Sequence, residues 1–270
     1  FFVDVVTGYL NVVFSTAKAP TARTIVAAFN HTAALYQSNG WTIKSVRADR
    51  GSYFKGGSSV ANVDSDNDAF FAHLHSRSPP VSASLSSRGS AHQNFIETPL
   101  RSLSARIKTN LLEATRSTPA RLFNQKTLAH CIQHSVTQGN HTIIGDDKAT
   151  PHEKFTGKSF DSSIRSFYSP VTLYDNVPGK HKPNAVQGFY LGLAPNSSSD
   201  TIAVMVPKYT SPTSKVTFSI RHSRHVKVTD DRIDVATMPD AIEKNAAQNS
   251  SLIHWASNWT INHAASQHPI

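Results

Sequence analysis

The sequence predicts an α/β region followed by a small all-β barrel. Two observations carry this reading. Up to about residue 115, strand-like runs alternate with helices, two of which carry one apolar stripe each. From Ser159 to about Asp230 the pattern changes to short strands divided by Pro, Gly and Asn turns, the grammar of a small barrel. A chain of 270 residues has room for one large domain or two smaller ones with real cores.

The opening reads as a hairpin, with strands Phe1–Val6 and Tyr9–Phe14 around the turn Thr7-Gly8. Pro20 opens a helix on which Ala22, Ile25, Phe29, Ala33 and Tyr36 form one stripe, and Asn39-Gly40 ends it. Trp41 to Ala48 reads as a strand ending at Asp49. Lys55 to Asn67 is a polar insertion without periodicity, and Asp68 to His75 a short helix broken by Pro79-Pro80. Val81 to Leu85 suits a short strand, and Ser86 to Asn94 a mobile loop of small residues. Ile96, Leu100, Leu103, Ile107 and Leu111 then mark a strong helix. Ser117-Thr118-Pro119 separates it from another that runs to about Gly139. Residues 231–270 are rich in Asn and Ala and read as a flexible tail, with one helix near Pro239 to Ala247.

Composition narrows the function classes. Lys and Arg number 27 against 18 Asp and Glu, a formal charge of +9 that suits a polyanionic partner. Nucleic acid is preferred to a membrane, because no strongly basic amphipathic helix with aromatic anchors appears and no stretch approaches the roughly 20 apolar residues of a span. One Cys excludes a disulfide framework and a Cys-rich zinc site within the chain. No signal peptide is visible, which reads as intracellular rather than secreted, and a first residue of Phe suggests a piece of something longer.

Two carboxylates stand where chemistry favours them. Asp49 ends an apolar strand, the place where α/β folds present functional groups. Glu97 opens the long helix, with Arg101, Ser104 and Lys108 on its face and away from the Leu/Ile stripe. A metal-binding carboxylate flanked by phosphate-binding cations has this pattern. The plainer alternative is a helix N-terminal acid favoured by the macrodipole and paired with Arg101.

Several short motifs, in order along the chain, carry a resemblance. Val46 to Phe54 (VRADRGSYF) resembles the second-aspartate strand of retroelement integrases, and His92-Gln93-Asn94-Phe95-Ile96-Glu97 their glutamate motif. Thr150-Pro151-His152-Glu153 with Lys154-Phe155-Thr156-Gly157 is similar to the copia-type T-P-[YH]-E-x-x-x-G. Arg165-Ser166-Phe167, Gly188-Phe189-Tyr190-Leu191-Gly192 and Ser223-Arg224-His225-Val226 resemble that family's R-x-F, G-x-[FY]-L-G and S-R-[DH]-V. Together they resemble a copia-type retrotransposon integrase over about Phe1 to Asp230. The resemblance implies an RNase H-like core at 1–115 lacking its first strand, a helical connector at 116–150 and an SH3-like barrel at 159–230. It implies DNA cleavage and strand transfer by two Asp and one Glu that hold Mg2+ or Mn2+, with Asp49 as the second acid and Glu97 as the third. It further implies DNA as partner, self-association, and a nuclear or virus-like-particle location.

The departures concern the first acid. Asp4 matches a hairpin aspartate of the family and is a weak stand-in for the catalytic one, so the first Asp is not evident. Tyr53, Asn94 and Thr98 replace the usual Glu, Gly and Arg. The 47 residues between Asp49 and Glu97 exceed the family's spacing, and the Lys55–Asn67 insertion accounts for the excess. The expectation is therefore a chain of integrase lineage that binds DNA but does not itself join strands. The alternative is a non-catalytic nucleic-acid-binding remnant of a retroelement polyprotein, and a third reading is a pure interaction module.

Other constellations are weaker. Asp64 to Asp68 imitates the start of a calcium loop but lacks its Gly and final Glu. His130, Cys131 and His134 read as an ordinary helix surface without a third metal ligand. No G-x-S-x-G supports a serine hydrolase. Arg221, Arg224, His225 and Lys227 cluster on one strand or edge, suited to phosphate contact or to blocking edge aggregation. The 14 His residues would add positive charge below about pH 6.5.

Overall fold

Helix α1 (Ala22–Ser38) begins where Thr21 leaves helical geometry. Its hydroxyl accepts from the Thr24 N–H and the Thr24 hydroxyl accepts from the Thr21 N–H, a reciprocal cap that satisfies two orphan donors. Asn39 caps the far end, and Gly40 turns the chain away at φ +79°. The computed structural model describes residues 1–15, 21–48, 66–85, 95–117, 125–143, 148–160, 164–174, 185–194, 201–208 and 217–228. Asp49, the Lys55–Asn67 insertion apart from its last two residues, the 86–94 loop and the tail with its expected helix lie outside the described residues. Two compact units divide the chain, one of Phe1–Leu100 and Ile143–Lys158, the other of Arg101–Thr142 and Ser159–Ile270.

In the first unit the hairpin is shorter than its sequence suggests. Only β1 (Phe2–Val3) and β2 (Leu10–Asn11) pair, antiparallel, because Asp4 starts a turn instead of continuing the strand. The Gly8 N–H donates to the Asp4 carbonyl at 2.8 Å and the Asp4 N–H to the Tyr9 carbonyl at 2.9 Å. Strand β3 (Ser45–Ala48) runs parallel to β4 (Ser82–Leu85), with α2 (Asp66–His75) between them in the chain. Phe29 and Ala33 of α1 bury against Phe70 and Leu74 of α2 and against Val81, while Ile43, Val46 and Ala83 close the core from the strand side. The apolar stripe read along α1 thus faces this core, as a 3.6-residue period requires.

Residues 148–158 return to the first unit through α5 (Pro151–Thr156). The Thr150 hydroxyl accepts from the Glu153 N–H at 3.1 Å, and the Glu153 carboxylate accepts from the Thr150 N–H at 2.8 Å. Pro151 fits the first turn, and Gly157 ends the helix in left-handed geometry at φ +69°. The T-P-H-E-x-x-x-G run is therefore a complete start-and-stop signal for a short helix. Its purpose is to deliver Phe155, 1% exposed, onto Tyr9, with ring centroids 4.2 Å apart. Replacing Thr150 by Ala is expected to cost about 1 kcal/mol, read as a lowered thermal midpoint. An unchanged midpoint would show that the cap is dispensable.

In the second unit, α3 (Glu97–Ser117), which enters it at Arg101, and α4 (Gln125–Asn140) share a buried polar clasp. The Asn110 amide donates to the Ser135 hydroxyl at 2.9 Å and to the Gln138 carbonyl at 2.8 Å. Five antiparallel strands follow: β5 (Pro170–Tyr174), β6 (Ala185–Leu193), β7 (Ile202–Lys208), β8 (Thr217–Ser223) and β9 (Val226–Val228). They lie in the order β8-β7-β6-β5-β9. One core joins Leu111, Ala114 and Cys131 of the helices to Phe189, Leu191, Ala203 and Met205. Another gathers Val171, Leu173, Tyr190, Val204 and Val206 on the other face. Gly188–Leu191 and Ala203–Val206 are consequently buried without alternation, because both faces of the sheet are covered.

Only Arg224 and His225 separate β8 from β9, although the two strands occupy opposite edges of the sheet. Three Cα steps reach at most about 11 Å. Four flat inter-strand gaps would need about 19 Å. The sheet therefore curls until its edges approach each other at that corner. Phe167 is buried in the core shared with the helices, and Tyr168, also buried, holds a left-handed φ of +66° while its hydroxyl donates to the Met205 sulfur at 3.4 Å.

Candidate nucleic-acid interface

The corner between β8 and β9 concentrates the basic side chains of the second unit. Arg221 stands opposite Val204 on β8, and Lys227 stands opposite Thr172 on β9. The His225 N–H donates to the Ser223 hydroxyl at 3.0 Å, and the Tyr174 N–H donates to the His225 carbonyl at 3.0 Å, which ties the corner to β5. Arg224, His225 and Lys227 are exposed, and Arg221 is half-buried. No acid interrupts residues 217–228. The run Arg221-His222-Ser223-Arg224-His225-Val226-Lys227 thus places three permanent cations and two imidazoles along two converging strand edges. Helix α4 adds another imidazole: burial, and then the charge of His222, holds His130 below the usual histidine range. The sequence identified the Arg and Lys of this corner but missed His130, because the α4–β8 proximity is a tertiary property without a local pattern.

On α3, Arg101 is exposed and Lys108 half-buried, while Leu103 is buried and Leu100 and Ile107 are half-buried. One side of the helix therefore carries cations and another packs inward. Glu97 is the first residue of α3 and is half-buried.

The acids do not assemble a metal site among the described residues. Asp4 is committed to its turn: its carboxylate accepts from the Val6 N–H at 3.3 Å, from the Thr7 N–H at 3.2 Å and from the Thr7 hydroxyl. The local D-x-x-T-G run is the signal for that turn. Asp49 lies outside the described residues, so its separation from Glu97 is not defined. Among the described residues no three His, Cys, Asp or Glu side chains are grouped to hold a metal ion.

His130, Cys131 and His134 correct the sequence reading. They do not form an ordinary helix surface: Cys131 and His134 are fully buried and His130 is half-buried. His134 lies between the rings of Phe167 and Tyr190, each centroid 5.6 Å away, and neither of its nitrogens has a hydrogen-bond partner. Burial lowers its pKa to about 4 and pushes the Cys131 thiol up to about 12. The neutral run Cys131-Ile132-Gln133-His134-Ser135 lacks the apolar stripe that would have announced this burial.

No protein-family model and no curated protein matches the chain. Among solved structures, a similar chain belongs to the cryo-EM structure of simian T-cell lymphotropic virus intasome in complex with PP2A regulatory subunit B56 gamma. It is 11% identical, covers 86% of this chain and 72% of that one, and superposes with a TM-score of 0.39. This is a weak structural likeness to a component of a retroviral intasome complex, and it transfers no residue role. Among the described residues, no helix is long and apolar enough to cross a membrane.

Proposed function

We propose that this chain is a DNA-binding region of retroelement integrase lineage, of the copia type, and that the β8–β9 corner is its principal DNA contact. The observation that carries the proposal is the acid-free run 221–227 along two converging strand edges. Phosphates are recognised by such arrays electrostatically and without regard to sequence. Arg101 and Lys108 add a second set of cations on α3. The RNase H-like and SH3-like assignments, self-association and a nuclear or particle location belong to the same proposal. Strand cleavage and joining would rest on Asp49 and Glu97 with Mg2+ or Mn2+ and on a further acid. The turn that occupies Asp4 favours the non-catalytic form of the reading for this stretch of chain.

The test is fluorescence anisotropy with a duplex of about 30 base pairs across about 50–200 mM salt. Reversing Arg221, Arg224 and Lys227 to Glu is expected to weaken binding to all sequences alike. It should flatten the log–log salt dependence by about one slope unit for each lost contact. Reversing Arg101 and Lys108 should remove up to about two more. A folded triple variant with unchanged affinity and slope would reduce these charges to edge protection.

A further inference from the structure

We propose that Trp41, in the first unit, is a stacking platform for an unpaired nucleobase, flanked by lysines that take the adjoining phosphates. The proposal rests on the nucleic-acid reading given above and extends it to single strands. Trp41 follows α1 after Asn39 and Gly40, and its N–H donates to the Tyr36 carbonyl at 2.9 Å. The indole N–H donates to the Phe155 carbonyl at 2.6 Å, which fixes the ring. Its plane lies within 9° of the Phe155 ring at 6.5 Å between centroids, and Phe155 in turn lies within 13° of Tyr9. Three rings therefore share nearly one orientation, and Trp41 stands at the solvent end, 40% exposed while Phe155 is buried.

An indole needed only for packing would gain by burying that area. Here it is fixed and left open, which removes the entropy cost of ordering it around a ligand. The charge is complementary as well. Lys44 and Lys158 are exposed, each three residues along the chain from Trp41 or Phe155. Glu153, the acid on α5, has its carboxylate engaged in the helix cap. A flat aromatic face beside cations recognises a base with its phosphates. Paired bases inside a duplex do not offer a free face, so the ligand is single-stranded or a frayed end.

The chain holds three Trp, so a W255F/W259F variant leaves Trp41 as the single indole emitter. Titration with an oligothymidylate of about 12 nucleotides is expected to quench that emission. An abasic strand of equal length and charge should bind roughly 5- to 100-fold more weakly and leave the emission unmoved. W41A should lower oligothymidylate affinity to the abasic level while duplex binding through the β8–β9 corner persists. Oligothymidylate binding with unmoved Trp41 emission, or equal binding of the abasic strand, overturns the platform and leaves the DNA reading intact. Absence of binding to the oligonucleotides and to duplex overturns both.

Discussion

Gly188→Ala is expected to lower the thermal midpoint of the second unit by roughly 6–12 °C. Gly188 of β6 lies hard against β7. An added Cβ would stand 2.6 Å from the Val204 Cγ1 and 2.7 Å from the Met205 carbonyl oxygen. Val204 is fully buried, and Met205 is paired in the ladder on both sides, so neither neighbour can yield cheaply. Overpacking costs about 1–3 kcal/mol, and a clash with backbone belongs at the upper end. About 3 kcal/mol at about 2–4 °C each gives the stated shift. Gly157→Ala is the useful contrast. Its site has open space but a positive φ, so its cost is confined to about 1 kcal/mol of local strain. Calorimetry separates the two. A Gly188→Ala protein melting with its parent would contradict the β6–β7 register.

Acid is expected to destabilise the second unit through His134. The folded protein keeps this imidazole neutral down to about pH 4. The unfolded chain takes up the same proton near pH 6.5. Stability from this residue is thus complete above about pH 6.5 and is lost as pH falls towards 4, by about 3 kcal/mol in all. The groups facing His134 are the rings of Phe167 and Tyr190 and the backbone of Gly192, with Cys131 and Ser135 on its own helix. None supplies a compensating charge at that pH. His134→Leu should remove this acid limb. It also removes two unpartnered buried nitrogens, which offsets lost ring contacts at neutral pH. Urea unfolding of both proteins between about pH 4 and 7.5 decides the matter. Parallel curves would mean that His134 gains its own proton partner in solution.

The helices were the most legible part of the molecule. On α1 and on α3, apolar residues recur at helical spacing and point at one core, so local pattern and tertiary burial coincide. The hairpin was over-read because Phe1 to Val6 has strand composition, whereas Asp4 and Thr7 close a turn inside it. In α4, His134 is buried by Phe167, Tyr190 and Gly192, Ser135 is buried against Asn110 of α3, Cys131 lies in the core between helices and sheet, and no helical stripe marks them in advance. The glycines of Gly188-Phe189-Tyr190-Leu191-Gly192 were legible as a motif but not as a cause. Gly188 has no room for a Cβ, and Gly192, at φ +114°, passes beside His134. The cations of the β8–β9 corner could be read directly, since they are contiguous in sequence. Trp41 could not, because its partner Phe155 lies more than a hundred residues away.

The position of β9 also sets an order of events in time. The outer edge of β5 finds its partner only when residues 226–228 arrive, 54 residues after β5 ends at Tyr174. At about 5–20 residues per second, a growing chain would display that edge for roughly 3–11 seconds. An unpaired edge of this kind templates pairing with other chains. Lys227 arrives on the very strand that ends the exposure, so edge closure and the last cation of the corner are delivered together. A nascent chain arrested before residue 226 would carry the hazard without the remedy.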